Sequence, residues 1–351
     1  MRVGLSLVAL VSFVLLVGAT EEPRTADGAV RGVALGLFAS DPTWDYGPMV
    51  RELRARGATD VLIVVQVSQH DRFASDLAFV PGHAPNEATL VRTLRQAKAA
   101  GLRVALMPIV HLRVREDHEW RGMLAPADGV DTWFARYRGV VGPLATLATR
   151  EGVERFVVGS ELSSLEPFEA EWRATIAAVR SRFAGTLVYS TNWDRIAPAE
   201  GAPGPVAFWD ALDEVGLTAY FPVGQGDSAP TAEAMRQAWR SPRGSIEALA
   251  RRVGRPVVLT EVGYPSRRGA ARAPWDDGPG AHVQVDLSQQ REAWAGFCDA
   301  FVAEVGSVRG FYAWNWFGVG GARDPGFTLR GKPAAVELER CFARWPGWEE
   351  R

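Results

Sequence analysis

Two glutamates stand at the ends of apolar segments in this chain, one hundred positions apart. Glu161 follows "FVVGS", and Glu261 follows "VVLT" and precedes Gly-Tyr-Pro. An ionised carboxylate is costly to bury unless it is paired or used in chemistry. Two carboxyl groups held about 5 to 5.5 Å apart suit double-displacement glycoside hydrolysis. Salt bridges to arginines at the strand ends are the alternative explanation for each glutamate alone, but the occurrence of both favours catalysis.

Other polar and aromatic residues follow apolar segments in the same way. Tryptophan offers a flat, amphipathic ring against which sugars pack, and alternation along a strand would direct two of these rings to one face. A histidine here could equally be structural, the tyrosine could simply pack in its loop, and an asparagine could cap the following turn. The residues that we predict to line a site are His111, Ser160, Asn192, Tyr220, Trp314 and Trp316.

The segments that position these residues form a repeated unit of an apolar run followed by a helical pattern. Near-continuous apolar runs are typical of parallel strands buried on both faces. Eight such units predict a single-domain α/β protein, a (β/α)8 TIM barrel, whose strands end around the active site. A doubly wound open sheet is the alternative, but no glycine-rich phosphate loop follows the first run. The runs are 31–40, 60–69, 103–112, 154–163, 186–194, 211–222, 255–266 and 309–318.

The N-terminus predicts export. An apolar run from Val3 to Val17 follows Arg2 and ends in the small residues Gly18 and Ala19, which indicates a signal peptide over 1–19, cut after Ala19. An uncleaved membrane anchor is the alternative, although the run is short for a full span. We expect a flexible leader over 20–30, the barrel over 31–346, a tail over 347–351, and a secreted or periplasmic protein with no other membrane contact.

Composition and residue spacing exclude several classes of protein. A net charge of -2 gives no basic surface for nucleic acid. The five histidines form no HExxH pair, and neither cysteine has a metal-type spacing, so we expect no metal and no cofactor. Cys298 and Cys341 lie on separate helical stretches, and we expect them to remain unbridged although export would permit a disulfide.

The segments "GSEL", "LTEVGY" and "YAWNWF" together resemble the barrel glycosidases, and most closely glycoside hydrolase family 113, the β-mannanase-like barrels. The resemblance implies that Glu161 is the acid/base and Glu261 the nucleophile. It also implies that Tyr220 holds the nucleophile and that Trp314, with Trp316 beside it, forms the floor of the sugar site. His111 and Asn192 would line the cleft.

One departure from this pattern concerns Ser160. Many relatives in the wider clan have asparagine immediately before the acid/base, where it binds the sugar's 2-hydroxyl. We therefore expect a retaining glycoside hydrolase acting on a β-linked carbohydrate, with mannan as first choice and no protein partner inferred. A non-catalytic carbohydrate-binding barrel of the cell envelope is the alternative that Ser160 keeps open. A lyase or esterase barrel is a weaker alternative, since it lacks its usual lysine, metal or Ser-His residues.

Overall fold

The computed structural model describes most of the predicted barrel. The predicted signal peptide and most of the leader lie outside the described residues. The described ranges are 28–196, 206–224, 230–276, 283–303 and 306–347.

Eight parallel strands close into a barrel in which each strand pairs with its neighbours in the sequence. The first strand also pairs with the last, with Val30 opposite Gly310 and Val33 opposite Ala313. This closure confirms the predicted (β/α)8 barrel and excludes the open sheet. The strands are β1 Val30–Gly36, β2 Asp60–Gln69, β3 Arg103–Leu112, β4 Arg155–Ser160, β5 Thr186–Asn192, β6 Glu214–Thr218, β7 Val257–Val262 and β8 Val308–Ala313.

Helices surround the barrel, each formed where the sequence has a helical pattern. Within the described ranges, no helix has the length and the apolar character needed to cross a bilayer. The helices are α1 Gly47–Ala55, α2 Glu87–Ala99, α3 Val130–Arg150, α4 Glu169–Arg180, α5 Ala232–Ala238, α6 Arg240–Val253, α7 Leu287–Val302 and α8 Ala334–Arg344.

Local sequence explains where these helices begin and end. The side chain of Asn86 accepts a hydrogen bond from the backbone N–H of Thr89, at 2.8 Å, and so caps α2. Gly101, shortly after the end of this helix, has a φ of 75°, a conformation that favours glycine. Asp286 caps α7 in the same way as Asn86 caps α2, through the N–H groups of Ser288 and Gln289.

The barrel interior is apolar in its middle and charged at its N-terminal end. Arg155 donates two hydrogen bonds to the carboxylate of Glu214, at 2.7 and 3.0 Å, and Arg309 donates a third at 3.2 Å. All three side chains are buried, and their mutual pairing offsets the cost of burial. Because these residues close the N-terminal end, polar chemistry is open to substrate only at the C-terminal end. The apolar interior consists of Val30, Ala34, Leu62, Val64, Ala105, Met107, Ile109, Val157, Val188, Val258 and Tyr312.

The two cysteines form a disulfide, so our expectation of unbridged thiols was wrong. Cys298 lies on α7 and Cys341 on α8, and their Cα atoms are 5.4 Å apart. Consecutive outer helices of a barrel are neighbours in space, which brings the two residues together despite the 43 positions between them.

Candidate active site

Glu161 extends from the end of β4 on a turn of unusual conformation. Its φ is 57°, and among the described residues it is the one non-glycine with a positive φ. Such a conformation costs an ordinary residue about 1 to 2 kcal/mol, and strained residues of this kind cluster at functional sites. Its backbone N–H still donates to the carbonyl of Ser190 on β5, at 2.8 Å. This turn holds the carboxyl group at the C-terminal end of the barrel.

The carboxylate of Glu161 forms an ion pair with Arg121. The Arg121 Nη2 atom lies 2.6 Å from Oε2 of Glu161, and both side chains are largely buried. Arg121 belongs to a short 3-10 helix, Arg121–Met123, in the connection between β3 and α3. Our sequence analysis missed Arg121, because nothing in a loop arginine nine positions beyond the strand end marks it as a partner of Glu161.

Glu261 is the second-last residue of β7. At this point the pairing of β7 with β6 changes register. Leu217 of β6 is opposite Leu259, and Thr218 is opposite Glu261, so Thr260 is an extra residue in β7. A bulge of this kind re-aims the side chain that follows it. The result is a glutamate with 2% exposure that leaves the regular alternation of the strand.

One carboxyl oxygen of Glu261 accepts a hydrogen bond, and the other does not. The hydroxyl of Tyr220 donates a hydrogen bond to Oε2, at 2.8 Å. Oε1 is buried and has no hydrogen-bond partner in the described part of the chain. A buried polar atom without a partner is costly and calls for an explanation such as catalysis. Within the described residues, this atom has an unused capacity to accept a hydrogen bond.

Burial raises the pKa of Glu261 to about 8, and the negative charge of Glu161 adds to the rise. The Arg121 guanidinium and the hydrogen bond from Tyr220 act in the opposite direction. Burial also raises the pKa of Tyr220 well above its usual value, with contributions from the charges of both glutamates. These effects act through space over short distances, so the two carboxyl groups, Tyr220 and Arg121 share one site.

His111 lies near the end of β3 and Asn192 at the end of β5, with β4 between these two strands. Burial lowers the pKa of His111, helped by the charges of His83, Arg121 and Arg115, so its ring is neutral at pH 7. Asn192 caps the turn that follows it, as our alternative interpretation allowed: its Oδ1 accepts from the backbone N–H of Trp193 and from the hydroxyl of Thr218, both at 3.1 Å.

Asp194, two residues after Asn192, is a third acid at this end of the barrel. Partial burial raises the pKa of Asp194, and the charge of Glu161 contributes to the rise. Ser160, by contrast, is buried with 1% exposure, and its hydroxyl has no hydrogen-bond partner among the described residues. Ser160 therefore does not face the solvent in the free protein.

The two tryptophans near the end of β8 lie in different places. Trp314 packs against the apolar barrel interior and against Phe38, whose ring centroid is 6.4 Å away. Trp316 is 1% exposed, and its indole N–H donates to Glu52 of α1, at 2.8 Å. Our prediction that both share one face was wrong, because β8 ends at Ala313 and strand alternation does not extend to Trp316.

Metal ligands do not gather at this site. No group of three or more His, Cys, Asp or Glu side chains in the described ranges is placed to hold a metal ion. The carboxyl groups that are present can perform proton transfer and nucleophilic attack.

The sequence and the fold both have relatives among known proteins. The family model described as Glycoside Hydrolase Family 113 matches residues 42–323, which is well over half of the chain. The chain belongs to glycoside hydrolase family 113. This family-113 chain is thus a β-mannanase-like glycoside hydrolase. No curated protein sequence matches it.

Solved structures of this family share the fold over nearly their whole length. A family-113 β-mannanase from Alicyclobacillus acidocaldarius, solved in complex with ManMIm, is 27% identical with a TM-score of 0.76, over 90% of this chain and 97% of that one. A second GH113 β-1,4-mannanase is 23% identical with a TM-score of 0.76, over 90% and 99%. A GH5_18 protein from Bifidobacterium longum shares the fold more distantly, at 16% identity and a TM-score of 0.59, over 90% and 78%.

Proposed function

We propose that this family-113 chain hydrolyses a β-linked mannan-type glycan by double displacement, with Glu261 as nucleophile and Glu161 as acid/base. The observation that carries the proposal is the pairing of these two carboxyl groups. They end β4 and β7, they influence each other electrostatically, and one of them keeps a buried oxygen without a partner. That oxygen, Oε1 of Glu261, is the atom that we assign to attack on the anomeric carbon.

The reaction requires that Glu161 and Glu261 together carry one proton. With the pKa of Glu261 at about 8 and Glu161 in an ion pair with Arg121, the free pair holds one proton at neutral pH. Positive charge develops at the anomeric carbon in the transition state. That charge favours ionised Glu261, so the proton passes to Glu161 as the substrate reacts.

Two steps then complete the cycle. In the first, Glu261 bonds to the anomeric carbon while Glu161 gives its proton to the departing glycosidic oxygen. In the second, Glu161 removes a proton from water, whose oxygen displaces Glu261 from the sugar with net retention. In both steps the hydroxyl of Tyr220 donates a hydrogen bond to Oε2 of Glu261 and stabilises the negative charge of this carboxylate.

Trp314 and His111 are the groups that we assign to sugar binding. The indole of Trp314 lies against the apolar interior at the base of the site, which suits the flat face of a pyranose ring. His111 is half-buried and neutral, so it can donate one hydrogen bond to a hydroxyl and accept another. Mannan is the preferred substrate class because the similar family-113 structures are described as β-mannanases.

We also propose export of this hydrolase, by the signal peptide predicted over residues 1–19. The disulfide between Cys298 and Cys341 supports this proposal, because disulfides persist in oxidising compartments outside the cytoplasm. Export fits a substrate that is a polymer too large to enter a cell. N-terminal sequencing of the secreted protein tests it, and a mature chain that begins at Thr20 is the expected result.

A reducing-end assay tests the activity directly. The purified hydrolase is incubated with mannan, glucomannan, xylan, cellulose, galactan and chitin-type oligomers, with the Glu261→Gln variant as the control. We expect reducing ends from mannan or glucomannan with the wild type, and turnover lower by orders of magnitude with the variant. Tight binding of a glycan without any release of reducing ends would instead support the carbohydrate-binding alternative, and wild-type turnover in the variant would rule out the mechanism.

A further inference from the structure

Two indole rings stack on each other at the C-terminal end of the barrel, outside the catalytic pair. The ring centroids of Trp193 and Trp275 are 5.3 Å apart and their planes differ by 22°. Trp193 begins the short 3-10 helix Trp193–Arg195 after β5, and Trp275 lies in the connection between β7 and α7. We call this pair the indole platform.

The exposure of Trp275 shows that one of its faces is open. Its side chain is 47% exposed although one face of its ring is covered by Trp193. A stacked indole that keeps about half of its surface in water presents its second face to solvent. The open face of a fixed indole ring is a flat, apolar surface of the kind that packs against the apolar face of a ligand.

The indole platform is joined along the chain to residues that interact with the catalytic glutamates. Trp193 is directly followed by Asp194, whose carboxylate is within electrostatic reach of Glu161. On its other side, the ring of Trp193 packs against Phe221 at 5.7 Å, and Phe221 follows Tyr220, which binds Glu261. The platform is thus continuous with the site through the ends of β5 and β6.

Neighbouring contacts hold the platform in place before any ligand arrives. Phe221, beneath Trp193, packs edge-on against the buried Trp239 at 5.6 Å. Next to Trp275, the side chain of Arg267 forms an ion pair with Asp276, at 2.8 Å. A preformed aromatic surface binds with a smaller loss of conformational entropy than one that must be ordered.

We propose that the indole platform binds a sugar ring of the glycan chain at a position removed from the bond that is cleaved. The axial C–H groups of a pyranose form an apolar face that matches the open face of Trp275. This inference rests on the proposed function, and it adds that affinity depends on chain length. A short substrate occupies only the site at Glu161 and Glu261, whereas a longer one also covers the ring of Trp275.

The test compares short and long substrates in the Trp275→Ala variant. We expect kcat/KM for a mannohexaose or glucomannan to fall about 10-fold, since a ring-stacking contact and its buried area are worth about 1 to 2 kcal/mol. We expect kcat/KM for an aryl mannoside to stay at the wild-type value. The Trp275→Phe variant, which keeps a ring, should recover most of the loss.

Phe73→Ala provides the matched control. Phe73 is 46% exposed, as Trp275 is, but the Arg72 guanidinium already covers its ring at 4.2 Å. The Phe73→Ala substitution should leave kcat/KM unchanged for both the short and the long substrates. Calorimetric binding of oligosaccharides from disaccharide to hexasaccharide by Glu261→Gln, with and without Trp275→Ala, gives a readout that does not need turnover.

The outcomes separate this proposal from the proposed function. Equal losses for short and long substrates, or an unchanged kcat/KM for the hexaose, would overturn the role of the indole platform while leaving catalysis intact. A wild type inactive on every glycan would overturn the proposed function, and length-dependent binding in the Glu261→Gln background would still support the platform.

Discussion

Replacing Glu261 by glutamine should remove activity and at the same time stabilise the fold. Burial and the nearby charge of Glu161 raise the pKa of Glu261 from its usual 4.5 to about 8. A carboxyl group with a raised folded-state pKa disfavours folding once the unfolded chain ionises. The contribution is absent below pH 4.5, grows as the pH rises, and levels off above about pH 8. Glutamine has no such titration.

The magnitude follows from the same pKa. At 1.36 kcal/mol per pH unit, ionisation in the unfolded chain lowers the free energy of unfolding of the wild type by at most about 3 kcal/mol at pH 7 and about 5 kcal/mol above pH 8. The pKa of Glu261 already includes the hydrogen bond from Tyr220, and an uncharged amide replaces a protonated carboxyl group at pH 7, so we expect a gain of about 3 kcal/mol at that pH. For a chain of this size that corresponds to a Tm higher by about 4 °C.

The assay is thermal unfolding of both proteins between pH 4 and pH 9 at one scan rate. We expect equal Tm values near pH 4 and a difference in favour of Glu261→Gln that widens up to pH 8. The control is Glu151→Gln, because Glu151 is also buried but the hydrogen bonds and charges of Arg95 and Arg150, at 2.7 and 2.9 Å, lower its pKa. Its loss should lower the Tm. A Glu261→Gln variant with a lower Tm than the wild type, or a Tm difference that does not change with pH, would show that burial of Glu261 does not destabilise the fold.

Three other substitutions test separate parts of the molecule. Tyr220→Phe removes a hydrogen bond that lowers the pKa of Glu261, so kcat/KM should fall about 10- to 100-fold and the basic limb of its pH profile, where the pair loses its proton, should move to higher pH; an unmoved limb would count against this role. Cys298→Ser with Cys341→Ser should lower the free energy of unfolding by about 3 to 4 kcal/mol in denaturant titrations, and an unchanged midpoint would contradict the bridge. Trp316→Phe should lower the Tm with KM unchanged, because this ring binds α1 rather than substrate, and a raised KM would reverse that placement.

Much of the fold could be predicted from the sequence because the barrel is built from local patterns. Apolar runs buried on both faces define parallel strands, and a capping asparagine such as Asn86 or a terminal glycine such as Gly101 marks the helix between them. Glu161 and Glu261 could be selected for the same reason, since each lies at the end of an apolar run. The bulge at Thr260 that aims Glu261 has no sequence pattern of its own.

The parts that could not be predicted depend on contacts between distant segments. Arg121 reaches Glu161 from a loop, and no spacing along the chain connects the two. Trp316 follows the "YAWNWF" pattern, but its burial depends on where β8 ends and on the position of Glu52. The stacking of Trp275 on Trp193 likewise joins two loops whose sequences show only that each contains a tryptophan.

Trapping of the glycosyl-enzyme identifies the nucleophile. The hydrolase is incubated with an activated 2-deoxy-2-fluoro-mannoside, digested, and its peptides are measured by mass spectrometry. The account predicts the mass of one fluorosugar on the peptide that contains Glu261, and no such adduct in the Glu261→Gln variant. A sugar bound to any other residue, or turnover of the reagent with inversion and no adduct, would contradict it.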